Sequence, residues 1–284
     1  MGNNLKTVAL LALLSAVVWG LSVALFPDGG FWFGLVFAGV INFVAWFGSD
    51  KIALAASRAR PATEDELPFV YEIVRDLTYR LEMPMPSIHL IDSPQPNAFA
   101  TGRDPNHAAV AVTTGLLDIL NRDELEGVLG HELAHVANRD ILIGSVAAML
   151  AATITILTRM AFWGGGRRND NNPVMAIIGI ASFLLAPLAA LIIRTAISRS
   201  REFQADESGA GFTGKPLALA SALRKIGAAT ERIPMNVNPA TASLYIENPR
   251  KAIRGRGMSN LFSTHPPVEA RVDRLERMAG PISY

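Results

Sequence analysis

Cysteine is absent from this 284-residue chain. Its absence excludes disulfides, thiol nucleophiles and thiolate metal ligands, and leaves the compartment open. An excess of one charge is missing too. The 26 Lys and Arg against 25 Asp and Glu give a net charge of +1, so nothing suggests a nucleic-acid partner. Charged residues make up only 18% of the chain, while half of it is hydrophobic. The resulting mean hydropathy of +0.27 is high for a soluble globule and ordinary for a membrane protein with a water-soluble part. Length allows one or two domains, and no internal repeat is evident.

The hydrophobicity is concentrated in four stretches. Residues 7–26 and 31–48 are uncharged; 141–163 carries only Arg159; 173–193 is uncharged, with Pro187 as a kink point. Each is long enough to cross about 30 Å of hydrocarbon. The four tryptophans, Trp19, Trp32, Trp46 and Trp163, all fall in these stretches, three of them near an end, as an interfacial belt would place them. A signal peptide is the rival for the first stretch. Its length, the lack of a small-residue cleavage site and the immediate second stretch favour a span. For the last two stretches, buried core helices or a hairpin that only dips into the bilayer stand as the alternative.

Basic residues give the orientation. Lys6 precedes the first stretch, Lys51, Arg58 and Arg60 follow the second, and Arg194, Arg199 and Arg201 follow the fourth. These three clusters place the N-terminus and both soluble segments in the cytoplasm. Arg167 and Arg168, between the last two stretches, are the one conflict. The expected division is 1–50 for two spans, 51–140 and 195–284 for two soluble sections, and 141–194 for two further spans or a hairpin.

The chemistry lies in His131-Glu132-Leu133-Ala134-His135. Two histidines four apart on a helix share one face. Both imidazoles then reach a single Zn²⁺ at about 2.0–2.1 Å, with Glu132 beside the water that the metal activates. Asn121-Arg122-Asp123-Glu124 is a capping box, and Leu125, Val128, Leu129, Leu133 and Val136 recur at helical spacing, so the motif sits inside a helix. A catalytic zinc takes three protein ligands and leaves a place for water. Without cysteine the third must be His, Asp or Glu. His89 and His107 lie upstream in a strand-like segment and a loop. Downstream, Glu202 and Asp206 are four apart on a second helix, and we assign Glu202 as the third ligand and Asp206 as the outer carboxylate that orients a ligating histidine. Asp140 is either a second outer carboxylate or a polar helix end. His265, ahead of Pro266 and Pro267, is either a stabiliser of the oxyanion at the scissile carbonyl or a neighbour of a helix cap.

Around these residues, Thr63-Glu64-Asp65-Glu66 is expected to cap an amphipathic helix running to about Leu81, which Met83-Pro84-Met85-Pro86 breaks. Residues 87–92 and 108–113 are expected strands with turn-rich sequence between them, and a strand edge near 108–113 is expected to pair with extended peptide. Beyond Glu202, helices are expected over 216–229 and from about Pro266, with a polar loop over 233–260.

Together these residues resemble the HtpX family of membrane zinc metallopeptidases and, more distantly, the CAAX prenyl endopeptidases. The resemblance rests on His131-Glu132-x-x-His135, Glu202-x-x-x-Asp206 after a hydrophobic hairpin, Asn97-Ala98-Phe99-Ala100-Thr101-Gly102, and Thr264-His265-Pro266. It spans nearly the whole chain, with no departure at the metal or base positions. It implies one Zn²⁺ on His131, His135 and Glu202, Glu132 as the base, and a cleft lined near Asn97, Ala98, Phe99 and Ala100. It also implies a bacterial inner-membrane enzyme acting on unfolded, misfolded or damaged membrane proteins in quality control and stress response. The fold class expected is mainly α with a small β-sheet: four transmembrane helices plus a zincin-like metalloprotease domain on the cytoplasmic side. A prenyl-protein protease is the alternative enzyme. A membrane scaffold whose zinc only joins two helices is the non-catalytic alternative.

Overall fold

The computed structural model describes residues 3–25, 28–144, 146, 199–233, 244–247 and 266–280. Two long helices lead the chain, α1 (Asn3–Leu25) and α2 (Gly30–Ala56). They pack through small residues. A Cβ added at Gly34 would lie 2.7 Å from the Ser22 side chain, and Gly30 is closer still to the Ser22 backbone. Large apolar side chains point outward instead, with Trp32 69%, Val36 68% and Phe43 62% exposed. Small residues inside and large apolar ones outside is the pattern of helices that pack in lipid, not water. Among the described residues α2 is the one helix long and apolar enough to cross a membrane, and α1 holds a shorter apolar run, Thr7–Gly20. Helix α2 also continues past the expected end at residue 48, through Asp50 and Lys51 to Ala56. Of the third expected stretch only Ile141–Gly144 and Val146 are described, and the fourth lies outside the described residues, as do Trp163, Arg167 and Arg168. Leu142, Ile143 and Val146 pack with Leu10, Leu14 and Val18 of α1.

A four-stranded mixed sheet follows, from β1 (Arg60–Pro61), β2 (Ser87–Ile91), β3 (Ala98–Gly102) and β4 (Ala108–Thr113). The strand order is β1-β2-β4-β3. Strand β2 runs parallel to β4, and β3 antiparallel to it. This corrects two expectations. The segment between the two expected strands contains a third, and 108–113 is an interior strand with both edges paired. The outer strands are β1 and β3.

Helix α3 (Pro68–Arg80) starts later than the Thr63 box suggested. A residue before proline is disfavoured in the helical region, and proline suits the first helical position; the chain therefore turns at Thr63–Leu67 and enters the helix at Pro68. Glu66 and Glu64 pair with Arg60 and Arg75 instead of capping.

A short helix α4 (Thr114–Ile119) leads into α5 (Arg122–Ala137), the centre of the fold. Its capping box is formed: Glu124 N donates to Asn121 Oδ1 at 2.9 Å and Asn121 N to Glu124 Oε2 at 2.9 Å. Helices α6 (Arg199–Thr213), α7 (Pro216–Thr230) and α8 (Val268–Met278) complete the described elements. Helix α5 is buried nearly all round, with Leu125, Val128, Leu129, Leu133 and Val136 in the core shared by α3, the sheet, α7 and α8. Glycines let its neighbours come close. A Cβ on Gly209 of α6 would meet His131 N at 2.7 Å, and one on Gly127 would meet Leu219 of α7 at 3.0 Å.

Candidate active site

This close approach of α5 and α6 brings the motif residues together. His131, His135 and Glu202 offer ligand atoms that all lie within 4.8 Å of one another. The two Nε2 atoms are 3.2 Å apart, and Glu202 lies 3.9 Å from His131 Nε2 and 3.7 Å from His135 Nε2. Bonds of 2.0–2.1 Å at tetrahedral angles put ligand atoms roughly 3.3–3.4 Å apart, so the cluster fits one small cation. Two imidazoles and a carboxylate suit zinc among the common divalent ions.

The opposite ring nitrogens are held by carboxylates. Asp206 Oδ1 is 2.9 Å from His131 Nδ1. Asp140 takes His135 Nδ1 at 3.1 and 3.2 Å through its two oxygens. Both partners fix the rings with Nε2 turned inward, which is how outer carboxylates orient ligating histidines. His89 and His107, the other upstream histidines, stand apart from the cluster: one contacts Ser87 and the other Asp104.

Electrostatics match the geometry. Burial pushes the Glu132 carboxyl above its ordinary pKa, against the pull of the two histidines. Burial also opposes charge on His135, but Asp140, Glu202 and Glu132 outweigh it and push the imidazole up to about 10. Carboxylates that draw a proton onto an imidazole mark a site short of positive charge, and a divalent cation satisfies that demand. Asp206 moves the other way. Burial would raise it, but Arg271 and His131 hold it down to about 2.

Glu132 accepts a hydrogen bond from Ala100 N of β3 at 2.8 Å. It faces a cleft that it lines with Ala100, His135, Asp140, Arg201, Glu202 and Leu244. The edge of β3 thus borders the cleft at Ala100. The other residues expected there do different work. Phe99 is buried against Tyr245, ring centroids 5.0 Å apart. Ala98 O accepts from Ile246 N at 2.9 Å, and Asn97 clamps Glu247 by donating to its O at 2.8 Å and accepting from its N at 3.3 Å. The short segment 244–247 therefore lies along the edge of β3 next to the cleft. His265 lies outside the described residues.

Sequence reasoning missed Arg271. It is fully buried on α8 and donates to both Asp206 oxygens, at 2.8 and 2.7 Å, and to Ile246 O at 3.1 Å. Its Nη2 also approaches the His131 ring at 3.4 Å, a distance at which the bonds to Asp206 are the ones that count. A signal was available. Val268, Arg271, Val272 and Leu275 recur at helical spacing, which puts an arginine on the apolar face of α8. Glu124, read only as a cap, also ties α5 to α7 through Lys225 at 2.7 Å and Ser221 at 2.6 Å.

A glutamate beside a His–His–Glu cation site, at the border of a sheet edge, defines a metal-dependent hydrolase of the peptide-cleaving kind. Residues 64–279 match the profile described as Peptidase family M48. The chain is similar to a "Protease HtpX homolog" of Pelotomaculum thermopropionicum, 49% identical over 283 residues that cover 98% of this chain and 99% of that one. It is 51% identical to another of that description from Thermococcus kodakarensis, covering 97% of this chain and 96% of that one. The crystal structure of S. mikatae Ste24p shares the fold at a TM-score of 0.53 and 20% identity, over 94% of this chain and 62% of that chain. The chain belongs to peptidase family M48 and is a metallopeptidase.

Proposed function

We propose that this chain is a multi-pass membrane zinc endopeptidase, its catalytic part on the cytoplasmic side, that cuts extended segments of misfolded or damaged membrane proteins. The observation that carries the chemistry is the His131–His135–Glu202 cluster with Glu132 in the same cleft. His131, His135 and Glu202 hold the ion, and Asp206 and Asp140 orient the two rings. Bound Zn²⁺ supplies a Lewis acid and lowers the pKa of water. Glu132 takes a proton from the attacking water and later passes it to the leaving amine. Ala100 N–H holds the Glu132 carboxylate in place. An extended substrate lies beside the outer side of β3 where Ala100 borders the cleft, held through its backbone with loose side-chain preference.

The fold class follows from the same reading. The soluble part is a zincin-like domain in two sections, 51–140 and 195–284, joined through 141–194, with 1–50 forming the first two of four spans. A prenyl-protein protease would need room for a lipidated chain end, and no observation on this chain favours it. Family membership argues against the scaffold alternative.

Glu132→Gln tests the reading. The variant should keep its zinc and lose hydrolysis of an unfolded membrane-protein substrate in detergent. Turnover at the wild-type rate would remove Glu132 from the mechanism, and loss of zinc would make it a structural residue.

A further inference from the structure

One side chain in the cleft has N–H groups that no described residue accepts. Arg201 stands on α6 one residue before Glu202 and lines the cleft beside Glu132 and His135. Its Nε and Nη1 are shielded from solvent and have no hydrogen-bond partner. Buried N–H groups are rarely left this way without a reason.

The neighbouring carboxylates of Asp140 and Glu202 attract the guanidinium through charge but take no hydrogen bond from its Nε or Nη1. Asp140 turns both oxygens to His135 Nδ1, at 3.1 and 3.2 Å. Glu202 faces the two Nε2 atoms at 3.9 and 3.7 Å. The other donor at this place, Ala100 N–H, is spent on Glu132. Ile141, Gly144 and Leu244, which complete the lining, have no polar side chain. Arg201 is thus the one side chain among the described lining residues with N–H groups to offer. A bound substrate can supply the acceptor that the described lining residues do not.

The reaction creates such an acceptor. Water adds to the peptide carbon through a new C–O bond, its proton goes to Glu132, and the carbonyl π pair moves onto the carbonyl oxygen. When the C–N bond breaks, that pair returns, the C–N electrons go to nitrogen, and the proton on Glu132 follows them. A donor in place before the charge develops stabilises the step in between. A substrate carboxylate would also fit a guanidinium fork. It would, however, bring a full negative charge among Glu132, Asp140 and Glu202 from the moment of binding, whereas the carbonyl becomes negative only as it reacts.

We propose that Arg201 is a catalytic residue, whose Nε–H and Nη1–H receive the scissile carbonyl oxygen and stabilise the negative charge that builds on it. This rests on the reading of Glu132 as base and of the cluster as a catalytic metal site.

The test uses the full-length, zinc-loaded protein in detergent and an internally quenched peptide prepared with a free and with an amidated C-terminus. Arg201→Ala should lower kcat by roughly 10²–10³, as removal of one such donor does elsewhere, with KM within about threefold of wild type. Zinc content and thermal midpoint should not change. Arg201→Lys, which keeps the charge and loses the fork, should fall between. Added guanidinium ion should restore part of the Arg201→Ala rate and none of the Glu132→Gln rate. An unchanged kcat, a rise in KM alone, or loss of zinc from both Arg201 variants would overturn the proposal. So would an effect confined to the peptide with a free carboxylate. If the wild type cleaves but Glu132→Gln cleaves equally well, the underlying mechanism fails and this proposal falls with it.

Discussion

Gly209→Ala adds one methyl group to the surface where α6 meets the metal-ligand helix. The new Cβ would lie 2.7 Å from His131 N, 2.8 Å from Gly130 C and 2.9 Å from His131 Cα. These are backbone atoms, so no side chain can swing aside. Ordinary contact begins at 3.4 Å, and the difference, 3.4 − 2.7, requires α5 and α6 to separate by roughly 0.7 Å. Metal–ligand distances tolerate only about 0.2 Å, and His131 and Glu202 sit on opposite sides of this contact. Overpacking costs about 1–3 kcal/mol, against about 0.5–1 kcal/mol that alanine gains over glycine in a helix. A small loss of stability should therefore accompany a much larger loss of metal affinity, at least as great as the roughly 10–100-fold seen when an outer carboxylate is removed. Gly211→Ala is the control on the same helix. Its Cβ meets nothing within 4 Å, so it should stabilise and leave the metal alone. The assay is zinc retention against a competing chelator, with thermal midpoints for both variants. Equal zinc affinity and equal turnover in the two would refute the argument that close helix contact sets the site.

Other outcomes follow from the same geometry. Glu202→Ala should lose nearly all metal in a retention assay, and Asp206→Ala should weaken binding roughly 10–100-fold; normal affinity in Glu202→Ala would move the third ligand elsewhere. Arg271→Met leaves Asp206 buried without its cation and should cost about 3–5 kcal/mol in denaturant unfolding, with metal loss alongside. In this cysteine-free chain, Asp28→Cys should react with an impermeant thiol reagent in intact cells and Tyr79→Cys, which is 84% exposed, should not; labelling at Tyr79→Cys would reverse the orientation. A membrane-protein substrate destabilised by a core mutation should be cut faster than its folded parent at equal concentration, and equal rates would argue against recognition of extended backbone.

The meeting of His131, His135 and Glu202 was legible in the sequence because helical spacing is a local rule. His131 and His135 share a face by their separation alone, and Glu202 and Asp206 repeat that separation on a second helix. The Asn121 cap was legible for the same reason, since its two hydrogen bonds span three residues. What was not legible depends on partners far along the chain. Strand β3 looked like a turn region because Pro94, Pro96 and Asn97 precede it, and only pairing with β4 makes Ala98–Gly102 extended. That pairing turned the expected edge strand into an interior one. Thr63 looked like a cap, but Pro68 sets where α3 begins. Arg271 was overlooked because a charged residue in a charged helix is ordinarily solvated. Its burial is decided by Asp206, 65 positions away.

The position of the cleft bears on where its substrates come from. Asp140 orients His135, and the next residues, Ile141 and Gly144, line the cleft while Leu142 and Ile143 pack against α1. The same short run therefore borders the catalytic cleft and the apolar helix pair. On the other side Arg103, just past β3, lies over the Phe47 ring of α2 at 5.1 Å, and in the sequence Glu202 follows the end of the fourth apolar stretch, residue 193, by nine positions. On the proposed reading, Glu132 and the cation site, within a few residues of apolar surface, would meet polypeptide close to where it enters or leaves lipid. A chain segment pulled out of a packed helix bundle is extended, has unpaired backbone groups and remains anchored nearby. Those are the properties an edge strand selects for. The reading as a peptidase of damaged membrane proteins thus draws support from where the cleft lies as well as from what lines it.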